Sequence, residues 1–151
     1  MKIINIAPSL VLTVWSGIII GISFIEAWLK FSVPGVTLQI GLSIGMKVFG
    51  VVNIIEWLLF AVVLGWFVVK RDYLTRRCMM QLGVVLTILL LQTFWLLPEL
   101  NLRAVSYINN EINIPKSHIH HTYVIFETVK LVFLTVLSVQ WIKGLLKTEK
   151  L

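Results

Sequence analysis

Four glutamates, Glu26, Glu56, Glu99 and Glu127, each lie within or at the end of a long apolar stretch. A charged side chain at the middle of such a stretch in lipid costs at least about 2.5–3.5 kcal/mol, so it needs a partner or a use. Residues three and four apart share a helix face. His120, Tyr123, Glu127 and Lys130 follow one another at that spacing and form one polar stripe. Ser16, Ser23, Glu26 and Lys30 form a second. Asn53 and Glu56, with Phe49 and Phe60, form a third. Gln92, Trp95 and Glu99 form the fourth, with Arg103 beyond Pro98.

Three kinds of chemistry suit these residues. Carboxylates beside a lysine or histidine inside a membrane are the parts of proton and ion relays. This reading predicts a pocket of Glu26, Lys30, Asn53, Glu56, Gln92, Glu99, His120, Tyr123, Glu127 and Lys130 that binds or moves a proton, an ion or a small polar solute. Glu56 and Glu127 would be its titrating groups, Lys130 the counter-charge and His120 a proton acceptor at the entrance. One carboxylate per helix is also similar in broad plan to the di-iron carboxylate bundles, although their repeated Glu-x-x-His element is absent. On that alternative Glu26, Glu56, Glu99 and His120 would hold a metal for a membrane oxidoreductase or hydrolase; His118, His120 and His121 could also bind one at the outer surface. The bland reading is internal ion pairing that sets helix register in a noncatalytic accessory subunit. Glu26–Lys30 (i,i+4) and Glu127–Lys130 (i,i+3) have the spacing for it, and Glu99 has Arg103, Lys30 or Lys47 in prospect. No cofactor is named by the sequence.

The elements that position these groups are membrane spans. The chain has 151 residues, of which 58% are hydrophobic and 13% charged, and its mean hydropathy is +0.94. A soluble domain carries about 25% charged residues. Each span takes roughly 20 apolar residues, so four spans and their loops use nearly the whole chain as one domain, 1–151. The expected architecture is an all-α, integral membrane four-helix bundle. Its spans cover about 8–29, 48–69, 78–97 and 121–142, with Pro8 at the first helix start and Pro98 stopping the third.

Lys2, Lys70, Arg71, Arg76, Arg77, Lys143, Lys147 and Lys150 flank one side of these spans; Lys30, Lys47, Arg103 and Lys116 flank the other. The excess predicts both termini in the cytoplasm and a plasma (inner) membrane location. Trp28 and Trp95 then fall at the outer interface, Trp66 and Trp141 at the inner one. Glu56 lies about 21 Å and Glu127 about 24 Å from the cytoplasmic helix ends, which puts the pocket in the outer leaflet. The net charge of +6 is a topology signal and gives no reason to expect nucleic acid. The single cysteine, Cys78, excludes a redox-active cysteine pair. The apolar N-terminal run exceeds a signal-peptide h-region and reads as an uncleaved span.

Residues 36–48 alternate apolar with small or polar residues. A lone strand in lipid leaves its backbone unpaired, so a glycine-rich N-terminal extension of the second helix is expected, tilted or bent near Gly45 or Gly50. An interfacial or re-entrant segment is the alternative. Gly17-xxx-Gly21 and Gly41-xxx-Gly45 have the spacing of close helix contacts, within the bundle or between copies. The segment 101–117, with a turn at Pro115, joins the last two spans. Four spans are few for a complete transporter, so a second copy or a partner membrane subunit is expected beside the bilayer itself. Asn53-x-x-Glu56 resembles an element in the second span of small four-span enzymes of eicosanoid and glutathione metabolism. Their preceding basic residue and arginine- and tyrosine-rich later spans are not matched, and the chain is not assigned to them.

Overall fold

Bilayer-length apolar runs become four long helices in the computed structural model, which describes residues 6–70, 75–111 and 117–148, with side chains described to 146. They are α1 (Ala7–Ser32), α2 (Leu38–Val69), α3 (Arg76–Ile108) and α4 (Ile119–Thr148). All four are long and apolar enough to cross a membrane, and each expected span falls inside one of them. The described residues contain no strand. Lys2, Arg71, Pro115, Lys116 and Lys150, and the side chain of Lys147, lie outside the described residues.

Local chemistry sets the helix ends. Pro8 occupies the first turn of α1, where no N–H is needed. The Thr37 and Thr75 hydroxyls accept from the N–H groups of Ile40 and Cys78, capping α2 and α3. Gly35 turns the chain between α1 and α2 at φ +87°. Asn110, at φ 54°, ends α3: the N–H of Glu111 reaches Ser106 O and that of Asn110 reaches Tyr107 O. That is a Schellman closure with asparagine in the left-handed position.

The alternating 36–48 segment is helical from Leu38 onward, so α2 is a continuous helix of 32 residues. Pro98, by contrast, does not stop the third helix. Gln92–Leu96 is a π-helical turn, and the N–H of Leu97 bonds Gln92 O, five residues back. The wider turn makes room for the pyrrolidine ring, so α3 continues to Ile108 and the connection to α4 is shorter than 101–117. α1 contains a longer π-helical stretch, Ile19–Glu26.

Each helix packs on its neighbours in sequence, and α1 returns against α4 to close the ring. The larger apolar core fills one end with Leu12, Phe60, Phe67, Leu82, Val85 and Leu134 among others. Trp141 belongs to it, edge-on to Phe67 at 5.1 Å, and is not an interfacial belt residue. A smaller cluster of Leu96, Leu97 and Tyr123 lies towards the other end. The exterior is apolar along its length, with Val51, Ile54, Leu58 and Val62 all exposed on α2. Charge inside and hydrocarbon outside is compatible with an integral membrane protein.

The two glycine pairs play different parts. A Cβ on Gly41 would lie 2.6 Å from Phe31 Cδ1, and one on Gly45 3.1 Å from Lys30 Nζ. These glycines seat side chains of α1 and do not bring two helix backbones together. Gly17 and Gly21 have nothing within 4 Å of the same construction.

Candidate functional site

One side chain from each helix, with a second from α4, meets in a closed network between the two apolar clusters. Lys130 and Glu127 come from α4, Glu56 from α2, Gln92 from α3 and Trp15 from α1. All five have zero relative exposure. Lys130 Nζ lies 2.6 Å from Glu56 Oε1, 2.8 Å from Gln92 Oε1 and 3.0 Å from Glu127 Oε1. Three N–H donors therefore meet three acceptors from three helices. The Gln92 amide donates to Glu127 Oε1 at 2.7 Å, and the Trp15 indole donates to Glu56 Oε1 at 2.9 Å.

Two carboxyl groups share one ammonium, so Lys130 can balance only one of them when both are ionised. Its unpartnered atoms are also specific. Glu56 Oε2, Glu127 Oε2 and the Tyr123 hydroxyl are buried without a hydrogen bond, and so are Asn53 Nδ2 and Ser23 Oγ nearer α1 and α2. Tyr123 stands one turn from Glu127 and lies beside its carboxylate without closing a well-formed bond. An unmet buried polar atom costs about 1–3 kcal/mol, and several of them lie around these charged groups.

Next to the network, Trp57 Nε1 donates to Thr93 Oγ1 at 2.9 Å, and Thr93 lies 3.1 Å from Asn53 Oδ1. This second link ties α2 to α3.

The remaining expected site residues do not join the core. Glu26 pairs with Lys30 at 3.3 Å near the end of α1. Eleven residues, most of them in the π-helical stretch Ile19–Glu26, separate Glu26 from Trp15, so Glu26 and Lys30 lie further along α1, in a separate layer. Glu99 pairs with Arg103 at 3.0 Å, and its side chain is 40% exposed. His120 is exposed, two turns from Glu127, in a loose cluster with His118 and His121. Among the described residues no three His, Cys, Asp or Glu groups are close enough to hold a metal ion. The alternative set of Glu26, Glu56, Glu99 and His120 is thus dispersed over separate levels, because a shared helix face does not imply a shared depth. Three participants escaped the sequence reading: Trp15, Trp57 and Thr93. For the tryptophans the available signal was an indole N–H inside an apolar run, which needs an acceptor wherever it is buried.

This second layer surrounds a cavity of about 100 Å³ where the end of α1 meets α2, α3 and the start of α4. Lys30 and His120 line it, and Phe49 forms part of its wall. Phe49 also meets Tyr123 edge-on at 5.4 Å. One aromatic layer therefore separates the cavity from the buried charges.

Comparison with protein-family models, with curated proteins and with solved structures finds no match. The functional reading rests on the geometry.

Proposed function

We propose that the chain is an integral membrane protein that binds and moves a proton, with Glu56, Glu127 and Lys130 as its site. The observation that carries this reading is the charge balance of the closed network. Two carboxylates share one fully coordinated ammonium, and each carboxylate keeps a buried oxygen without a partner. A proton on either free oxygen neutralises the network without disturbing the three bonds to Lys130. A small monovalent cation or a small polar solute would use the same oxygens, but Lys130 already fills the central cation position.

Tyr123, against Phe49, is the group through which the outer cavity reaches the network. The excess of Lys and Arg beside the 69–76 connection and the C-terminal end of α4 supports cytoplasmic termini, with the cavity towards the outside. A bundle of four helices supports a working unit of two copies or one with a partner subunit.

A single experiment tests the reading. Protein reconstituted in vesicles with a trapped pH-sensitive dye is given a pH gradient and a potassium–valinomycin clamp. Dissipation faster than in empty vesicles is expected, and it should be lost in Glu56→Gln and Glu127→Gln. Unchanged dissipation in both variants would remove these residues from proton movement.

The second reading, a purely structural latch, draws on the fact that all four helices contribute to the network. It predicts that Glu56→Leu, Glu127→Leu and Lys130→Leu together leave function intact, because apolar replacements of a buried ion cluster are often neutral or stabilising.

A further inference from the structure

The cavity at the outer end has a composition unlike that of the buried network. Its walls are apolar apart from Lys30, Asn101 and His120, and among the described residues no acidic side chain lines it. Lys30 is held there with a side-chain exposure of 9%. Its ammonium lies over two aromatic rings, 5.4 Å from the centroid of Phe49 and 5.6 Å from that of Phe31. Both neighbouring positions on α2 are glycines. Gly45 leaves the space that Lys30 Nζ occupies, and Gly41 leaves that of the Phe31 ring. The lysine is thus built into an apolar chamber by its neighbours. Its carboxylate partner, Glu26, lies outside the lining, is three times as exposed at 27%, and meets the ammonium at a long 3.3 Å.

From this geometry we infer that the cavity is a binding site for a compact monocarboxylate of about the size of butyrate. The ligand's carboxylate takes the Lys30 ammonium in competition with Glu26. Its short hydrocarbon body fills the space between Phe31, Phe49 and the leucines of α3. A cavity of about 100 Å³ with apolar walls suits a short hydrocarbon body. A charged head with hydrogen-bonding partners in an otherwise apolar chamber gives a preference for the acid over its uncharged amide. This inference stands on the cavity and does not depend on proton movement at Glu56 and Glu127.

Saturation-transfer NMR on the detergent-solubilised protein tests it with butyrate and butyramide as probes and protein-free micelles as the blank. Butyrate should give transfer with an affinity of about millimolar order, and butyramide should give none above the blank. Lys30→Met should abolish the butyrate signal. Glu26→Gln, which removes the internal competitor, should tighten butyrate about tenfold, the equivalent of one favourable charge contact. Equal signals from butyrate and butyramide, or butyrate binding undiminished in Lys30→Met, would overturn the inference. Should Lys30→Met fail to fold by circular dichroism, Glu26→Gln decides alone. Butyrate affinity unchanged or weakened in that variant rejects the site.

Discussion

Lys130 and Glu56 face each other across the bundle from α4 and α2, 2.6 Å apart and both without solvent exposure. Glu56 brings α2 to an ammonium that is already paired with Glu127 on its own helix. With Gln92 and Glu127 completing the ammonium's three bonds, the contact joins three helices at one atom. Breaking it should therefore affect the whole bundle.

Lys130→Met leaves two buried carboxylates with no cation between them. Loss of one partner of a buried pair costs about 3–5 kcal/mol. Unfolding in detergent, followed by circular dichroism, should show a destabilisation of that size. Adding Glu56→Gln and Glu127→Gln to Lys130→Met should recover much of it, since no ion then remains unpaired. A single variant as stable as the parent would mean that the network is not closed as described.

Trp15 ties α1 into the same network by one indole bond to Glu56. Trp15→Phe keeps most of the packing and removes that donor. A hydrogen bond to a charged group contributes about 1.5–3 kcal/mol, and the variant should lose stability within that range. A smaller loss from Trp15→Phe in a Glu56→Leu background, measured as a double-mutant cycle, would confirm that the loss runs through this contact.

What the sequence made legible follows from which quantities are local. Span length and apolar character are local, and all four helices were readable, as was the extension of α2 to Leu38. The i,i+3 relation of Glu127 to Lys130 is local too. Depth relative to another helix is not. Glu26 shares a stripe pattern with Glu56 but lies in another layer, and nothing in α1 alone reveals that Trp15, not Glu26, stands opposite Glu56. Pro98 misled for a related reason. A proline ends an α-helix unless the turn before it widens, and that widening at Gln92–Leu96 is a tertiary outcome.

The two glycine pairs should respond oppositely to the same change. Gly41→Ala puts a methyl group against the Phe31 ring and must displace it, so a loss of about 1–3 kcal/mol is expected. Gly17→Ala and Gly21→Ala meet nothing and should be neutral or up to about 1 kcal/mol more stable than the parent. Thermal unfolding of the three variants in one detergent compares them directly. A larger loss at Gly17 or Gly21 would instead reveal a contact between copies at that face.

Tyr123 separates a structural from a functional role most cleanly. Its ring is buried against Phe49, whereas its hydroxyl has no hydrogen-bond partner. Removing an unpaired buried hydroxyl returns its desolvation cost, so Tyr123→Phe should be neutral or about 1 kcal/mol more stable than the parent. If the hydroxyl passes protons from the Lys30 cavity to Glu127, the same variant should dissipate a pH gradient at least about tenfold more slowly, a barrier increase of about 1.4 kcal/mol. Undiminished stability with slowed flux assigns the hydroxyl to the proton route. Unchanged flux would show that protons reach Glu127 past another side chain.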